Sequence, residues 1–194
     1  MVGQAHALIA CCSMIAFAGT APELAAAQEL EVHAACRDGK PHGPYELRAP
    51  NGQLRLSGAF NRGTRTGSFI YWTRNGARIA HVPYDDDRKN GTLSLWYASS
   101  RLEREPQPKL QAGFAAGRRN GVTRSWYANG RPRTLFRYEM DVLADAQAWS
   151  RTGSQLAAAE ARDVAARDRD LDDKYYASLD AIVTGHLPDC RDRP

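Results

Sequence analysis

Not one Lys or Arg occurs in the first 36 residues, although the 194-residue chain carries 26 of them. Composition changes abruptly near Cys36, which sets the leading stretch apart from the rest of the chain. A membrane-spanning run is missing as well: the apolar segment Ala5 to Ala21 falls short of the roughly 20 residues that a mature transmembrane helix needs. Cysteines number four, with no CxxC pair and no Cys/His cluster, so zinc is not expected. The five histidines, His6, His33, His42, His81 and His186, lack metal-ligand spacing and join no Ser/His/Asp or Cys/His set. His42 and His81 read as polar surface positions. These gaps argue against an enzyme and against any cofactor. What is present, 43% apolar and 25% charged residues, is ordinary for a chain that folds.

The segment Ala5 to Ala21 has the length and small-residue character of a signal-peptide core, and Ala25-Ala26-Ala27 offers a cleavage site before Gln28. Residues 1–27 are therefore expected to direct export to the periplasm or medium. Leu8-Ile9-Ala10-Cys11 also fits a lipobox, so a lipidated Cys11 is an alternative, as is a retained N-terminal helix or anchor. Cleavage would leave Cys36 and Cys190 as the only thiols, and two cysteines in an oxidising compartment predict a disulfide.

The four tryptophans reveal a repeat. Trp72, Trp96, Trp126 and Trp149 each stand four residues before a turn position, at Gly76, Ser100, Gly130 and Gly153. Gly52 is one more such position, with Arg48 in the tryptophan's place, and the successive spacings are 24, 24, 30 and 23. A second column, Phe60, Tyr84, Phe114 and Tyr138, lies three residues before Gly63, Asp87, Gly117 and Asp141. The pairs Asn51-Gly52, Asn75-Gly76 and Asn129-Gly130 are hairpin signals suited to type I′ turns. Each unit is thus predicted to be a β-hairpin, for example Ser68 to Thr73 with Ala77 to Tyr84. A lone hairpin is marginal in water, so both aromatic columns are expected to be the buried structural core between stacked units.

Residues 28–38 form a lead-in, and residues 39–153 hold four to five units. The segment Glu103 to Lys109 is an insertion between the third and fourth units and a candidate contact loop. Residues 154–194 form an alanine-rich, charged tail, predicted as one or two helices over Ser154 to Arg169 and Asp170 to Thr184. The fold class is mainly β: an elongated antiparallel sheet with a C-terminal helical tail.

The stretches GTRTGSFIYWTRNG at 63–76 and GRRNGVTRSWYANG at 117–130 resemble the bacterial variant of the MORN repeat, and the resemblance spans about residues 39–153. It implies a curved sheet of tandem hairpins with no catalytic residues. It also implies a binding role, since members of this family include antitoxin-like or immunity-like proteins, and MORN proteins elsewhere serve as scaffolds or contact lipid headgroups.

Charge is divided unevenly. Residues 28–153 carry 20 basic and 12 acidic side chains, residues 154–194 carry 6 and 9. A sheet of net charge +8, with Arg65, Arg74, Arg78, Arg118, Arg119, Arg124, Arg131 and Arg133, can attract an acidic protein, such as a cognate toxin or effector, or anionic lipid. Of these, Arg74, Arg78, Arg118, Arg119, Arg124 and Arg131 are the partner-binding candidates. Nucleic acid is not expected, because export removes it from reach.

Overall fold

In the computed structural model the described residues are 29–98 and 106–191. The expected signal peptide, Cys11 and the first part of the insertion, through Glu105, lie outside them. The chain runs β1 (Glu31–Arg37), β2 (Lys40–Arg48), β3 (Leu54–Asn61), β4 (Thr64–Trp72), β5 (Arg78–Asp85), β6 (Arg88–Lys89), β7 (Gly91–Trp96), β8 (Pro108–Ala115), β9 (Arg118–Trp126), β10 (Pro132–Glu139), β11 (Val142–Ala148) and α1 (Ala158–Thr184). All strands join one antiparallel sheet in sequence order, except that the two-residue β6 pairs with β5 alone, and β5 meets β7 directly. The sheet is thus the mainly β, hairpin-built architecture that the repeat implied.

Two kinds of turn alternate along the sheet, and their placement differs from the sequence expectation. At the Asn-Gly sites only the glycine has positive φ, 79° at Gly52, 82° at Gly76 and 83° at Gly130. The Gly52 amide donates to the Ala49 carbonyl and the Ala49 amide to the Gln53 carbonyl, which closes a three-residue loop. That is a type I turn followed by a left-handed residue, not a type I′ turn. Asn51 stays at negative φ and uses its Oδ1 to accept the Gln53 amide. Type I′ geometry sits at the other end of the strands instead, where both central residues are left-handed: Asp38-Gly39, Arg62-Gly63, Asp86-Asp87, Ala116-Gly117 and Met140-Asp141.

Near each Asn-Gly-type loop the second strand carries a β-bulge. Leu47 pairs with Leu56 but Arg48 with Leu54; Tyr71 with Ala80 but Trp72 with Arg78; Leu95 with Leu110 but Trp96 with Pro108. Ser125 and Thr134, then Trp126 and Pro132, repeat the slip in the fourth unit. The extra residues are Arg55, Ile79, Lys109 and Arg133. Each breaks the strict in-and-out alternation of its strand.

The tail is one helix of 27 residues, not two. No Gly or Pro interrupts it before Gly185, and Arg169 pairs with Asp173 at 4.0 Å across the expected break. At 1.5 Å per residue it is about 40 Å long, close to the width of a sheet whose strands lie about 4.8 Å apart. Its contacts move steadily across the strands: Asp168 meets Arg133 of β10, Asp173 meets Arg119 of β9, Tyr176 packs on Phe114 of β8, and Asp180 bonds Tyr84 of β5. Beyond the helix, the His186 carbonyl accepts the Tyr45 hydroxyl of β2, and Cys190 is bonded to Cys36 of β1 with Cα atoms 5.6 Å apart.

The core therefore lies between the helix and one face of the sheet. Tyr45, Phe60, Phe69 and Tyr84 form an edge-to-face aromatic chain there, joined by Tyr176, Leu179 and Val183 from the helix. At Gly58 an added Cβ would come within 2.6 Å of the Phe69 ring, so this position admits the ring only because it has no side chain. A second cluster gathers Phe136, Tyr138 and Ala165. Between the two the buried sheet residues are Thr123, Ser125 and Thr134, with a hydroxyl bond of 2.5 Å between Ser125 and Thr134.

Candidate interaction surface

Strand alternation assigns the two faces. Phe69 and Tyr71, Leu93 and Leu95, and Thr123 and Ser125 are buried toward the helix, so alternation places Trp72, Trp96 and Trp126, each next in its strand, on the opposite, open side, while Trp72 and Trp126 also edge helix-side clefts beside Leu179 and Ile182 and beside Asp168 and Tyr175. Trp149, after buried Ala148, follows the same rule. All four are half-buried. The tryptophan column is therefore not the core. Its partner column is: Phe60, Tyr84, Phe114 and Tyr138 are 4–8% exposed beneath the helix. The residue before each tryptophan fills the core, and a ring one position later must face away from it.

The bulges give the same separation. Ile79 packs on the main cluster, Lys109 Nζ lies 5.6 Å from the centre of the Tyr175 ring, and Arg133 pairs with Asp168. All three contacts are on the helix side. The paired positions Trp72/Arg78, Trp96/Pro108 and Trp126/Pro132 are left together on the open side.

The arginines divide accordingly. Arg119, with its side chain 5% exposed, reaches Asp173 at 2.8 Å under the helix, so it is not the free surface cation that the sequence suggested. Arg65 joins Asp180 at 2.6 Å and Asp87 at 2.8 Å, and Lys89 reaches Asp180 at 3.0 Å. Arg118 pairs with Asp141 at 3.2 Å near a type I′ turn, away from the tryptophans. Arg131 donates to the carbonyls of Arg151 and Thr152. Arg78 lays its guanidinium over the Trp96 ring at 4.3 Å. Arg74 is exposed beside its turn, and Arg124 and Arg137 are exposed on the open face. His81 shares that face, within 2.8 Å of the Ser68 hydroxyl, while His42 Nδ1 accepts the Arg62 amide.

The acidic residues of the helix were missed as members of this arrangement. Their signal was the opposed net charge of tail and sheet. Burial works against ionisation of Asp180, yet hydrogen bonds from Tyr84 and Lys89 and the charges of Lys89 and Arg65 hold its carboxyl below the usual range. Asp172 is the contrary case: burial first, then the neighbouring Asp168 carboxylate, pushes it up to about 7. The charges of Arg119 and Lys109 oppose this rise without cancelling it.

Where the open face reaches β9–β11 it contains a cavity of about 490 Å³ between Trp126 and Trp149, lined also by Pro132, Leu135, Arg124 and Arg131, and by Ser125, Thr134 and Gly153. Both charged residues lining it are arginines. On the helix side a cleft of about 400 Å³ is lined by Asp168, Asp172, Tyr175 and Arg133, with Trp126 also contributing to its wall. Among the described residues no His/Cys/Asp/Glu group is placed to hold a metal, and no helix is long and apolar enough to cross a membrane. Compared with known proteins, the chain matches no family model and no curated protein sequence.

Proposed function

We propose that this is an exported, non-enzymatic binding protein of the variant MORN type, immunity-like or antitoxin-like, which neutralises an envelope-acting toxin by gripping an acidic surface of it. The observation that carries the reading is the asymmetry of the sheet. Its helix side is closed by packing and by ion pairs, whereas the open side presents half-buried tryptophans beside exposed Arg124 and Arg137. Trp and Arg are the residues that most often dominate protein interfaces, and an excess of one charge speeds encounter with a partner of the other. The disulfide suits an oxidising compartment, which supports export.

Cross-linking in intact cells, followed by purification and mass spectrometry, tests this. A single acidic envelope or secreted protein should be captured by the wild type and lost after Arg124→Glu with Arg137→Glu. Unchanged capture by that double variant would remove the open face from the interaction. The second reading, a scaffold on anionic lipid, draws on the same exposed arginines. It predicts salt-sensitive flotation with phosphatidylglycerol vesicles and no protein partner.

A further inference from the structure

We infer that the cavity between Trp126 and Trp149 is a slot for an aromatic side chain flanked by carboxylates, supplied by an acidic segment of a partner protein. This rests on the proposed role of the open face in binding a protein and specifies how the partner is anchored.

The tryptophans occupy β4, β7, β9 and the position just after β11, so one strand separates each from the next, and at about 4.8 Å per strand the rings recur about every 10 Å. A gap of that size accepts one planar group, and the protein displays such a case itself. Between Trp72 and Trp96 the intervening strand contributes Arg78, whose guanidinium stacks on Trp96. The equivalent residue is Pro108 in the middle interval and Pro132 in the last, where it pairs with Trp126 just as Arg78 pairs with Trp72. Proline is too short to fill the space, and the cavity of about 490 Å³ lies there.

Charge then selects the occupant. A second cation is disfavoured, because both charged residues lining the slot are arginines, and Arg124 forms no ion pair among the described residues. A planar aromatic ring satisfies the indoles and Leu135, and carboxylates beside it satisfy Arg124 and Arg131. The slot is thus an anchor pocket with a basic rim.

The test uses the full mature protein labelled with 15N-tryptophan, whose four indole N–H signals are assigned through single Trp→Phe variants. The probe is a peptide with one tyrosine among glutamates, alongside versions with alanine for the tyrosine or lysines for the glutamates. Titration should move the Trp126 and Trp149 signals and leave Trp72 and Trp96 in place, with each altered peptide at least about tenfold weaker. Pro132→Arg, which copies Arg78 into the slot, should abolish the shifts at unchanged melting temperature. Absence of saturable shifts, equal movement of all four indoles, or full binding by Pro132→Arg would overturn the assignment. So would shifts of the same two indoles by phosphatidylglycerol vesicles or a β-linked oligosaccharide but not by the acidic peptide. If cellular capture depends on Arg124 and Arg137 yet tolerates Pro132→Arg, the open face binds and the slot does not.

Discussion

The two faces of one sheet use the same residue types for opposite purposes. Under the helix, aromatic rings are sealed from water, and Arg65, Arg119 and Arg133 each meet a helix aspartate. On the open face the rings are half-buried and Arg124 and Arg137 stand in solvent. Neither an aromatic residue nor an arginine reports its role by identity. Position relative to the pleat and to the bulge decides it, because one residue of shift moves a side chain from packing to presentation.

The contrast is sharpest for large-to-small changes. Phe69→Ala, at a ring 0% exposed, should cost about 4 kcal/mol, whereas Trp126→Ala should cost about 1 kcal/mol, measured by urea unfolding. Equal losses would mean that the open-face rings support the fold as much as the core does. Next in size is the bond between the chain ends. Replacing Cys36 and Cys190 together by serine should lower stability by about 3 kcal/mol, since the bridge closes a separation of 154 residues in the unfolded chain. A double-serine protein that melts with the wild type would show that the helix contacts hold the ends without it.

Arginine removal separates the faces at smaller scale. Arg119→Ala should destabilise by about 2 kcal/mol, because its buried guanidinium lies over the Phe114 and Tyr176 rings, while the half-exposed Asp173 loses less. Arg124→Ala should stay within about 0.5 kcal/mol. Chemical denaturation that ranks them in reverse would exchange the two faces. The smallest effect depends on pH. With its folded pKa raised to about 7 and its unfolded value near the ordinary 3.8, Asp172 keeps a proton on folding through that window. Ionising it therefore erodes stability as pH rises from about 4 to about 7. Asp172→Asn should match the wild type in thermal unfolding at pH 4 and exceed it above pH 7. A constant difference across that range would mean that the carboxyl does not titrate as its surroundings require.

The hairpins were legible because their marks recur: aromatic, glycine and Asn-Gly positions return at nearly constant spacing, and the periodicity survives the loss of single positions such as Ser99-Ser100. The disulfide was legible from the cysteine count together with the expectation of export. The orientation of the tryptophans was not, since a large apolar ring at a strand end reads as core. Only the buried residue before it, Tyr71, Leu95, Ser125 or Ala148, shows otherwise. The bulge residues Ile79, Lys109 and Arg133 share no residue type, so nothing in the sequence announced that they turn toward the helix. Type I′ turns were hidden for a similar reason, as Asp86-Asp87 and Met140-Asp141 enter left-handed backbone without glycine. Helix placement needed the ion pairs from Asp168, Asp173 and Asp180, whose partners lie in distant strands.

A helix that crosses strands at right angles advances about 5.4 Å per turn against about 4.8 Å per strand, so each strand is met by roughly one turn. Arrays whose units touch only their neighbours can grow or fray by one unit at a time. Here α1 works as a ruler laid across the array, with its far end bolted to the first strand through Cys36 and Cys190. Duplicating a hairpin would leave the ruler about two turns, or roughly seven residues, too short to reach the bolt. Deleting one would leave helix with no sheet beneath it. The length of the tail thus matches the number of repeats, and the array is expected to melt as a single unit.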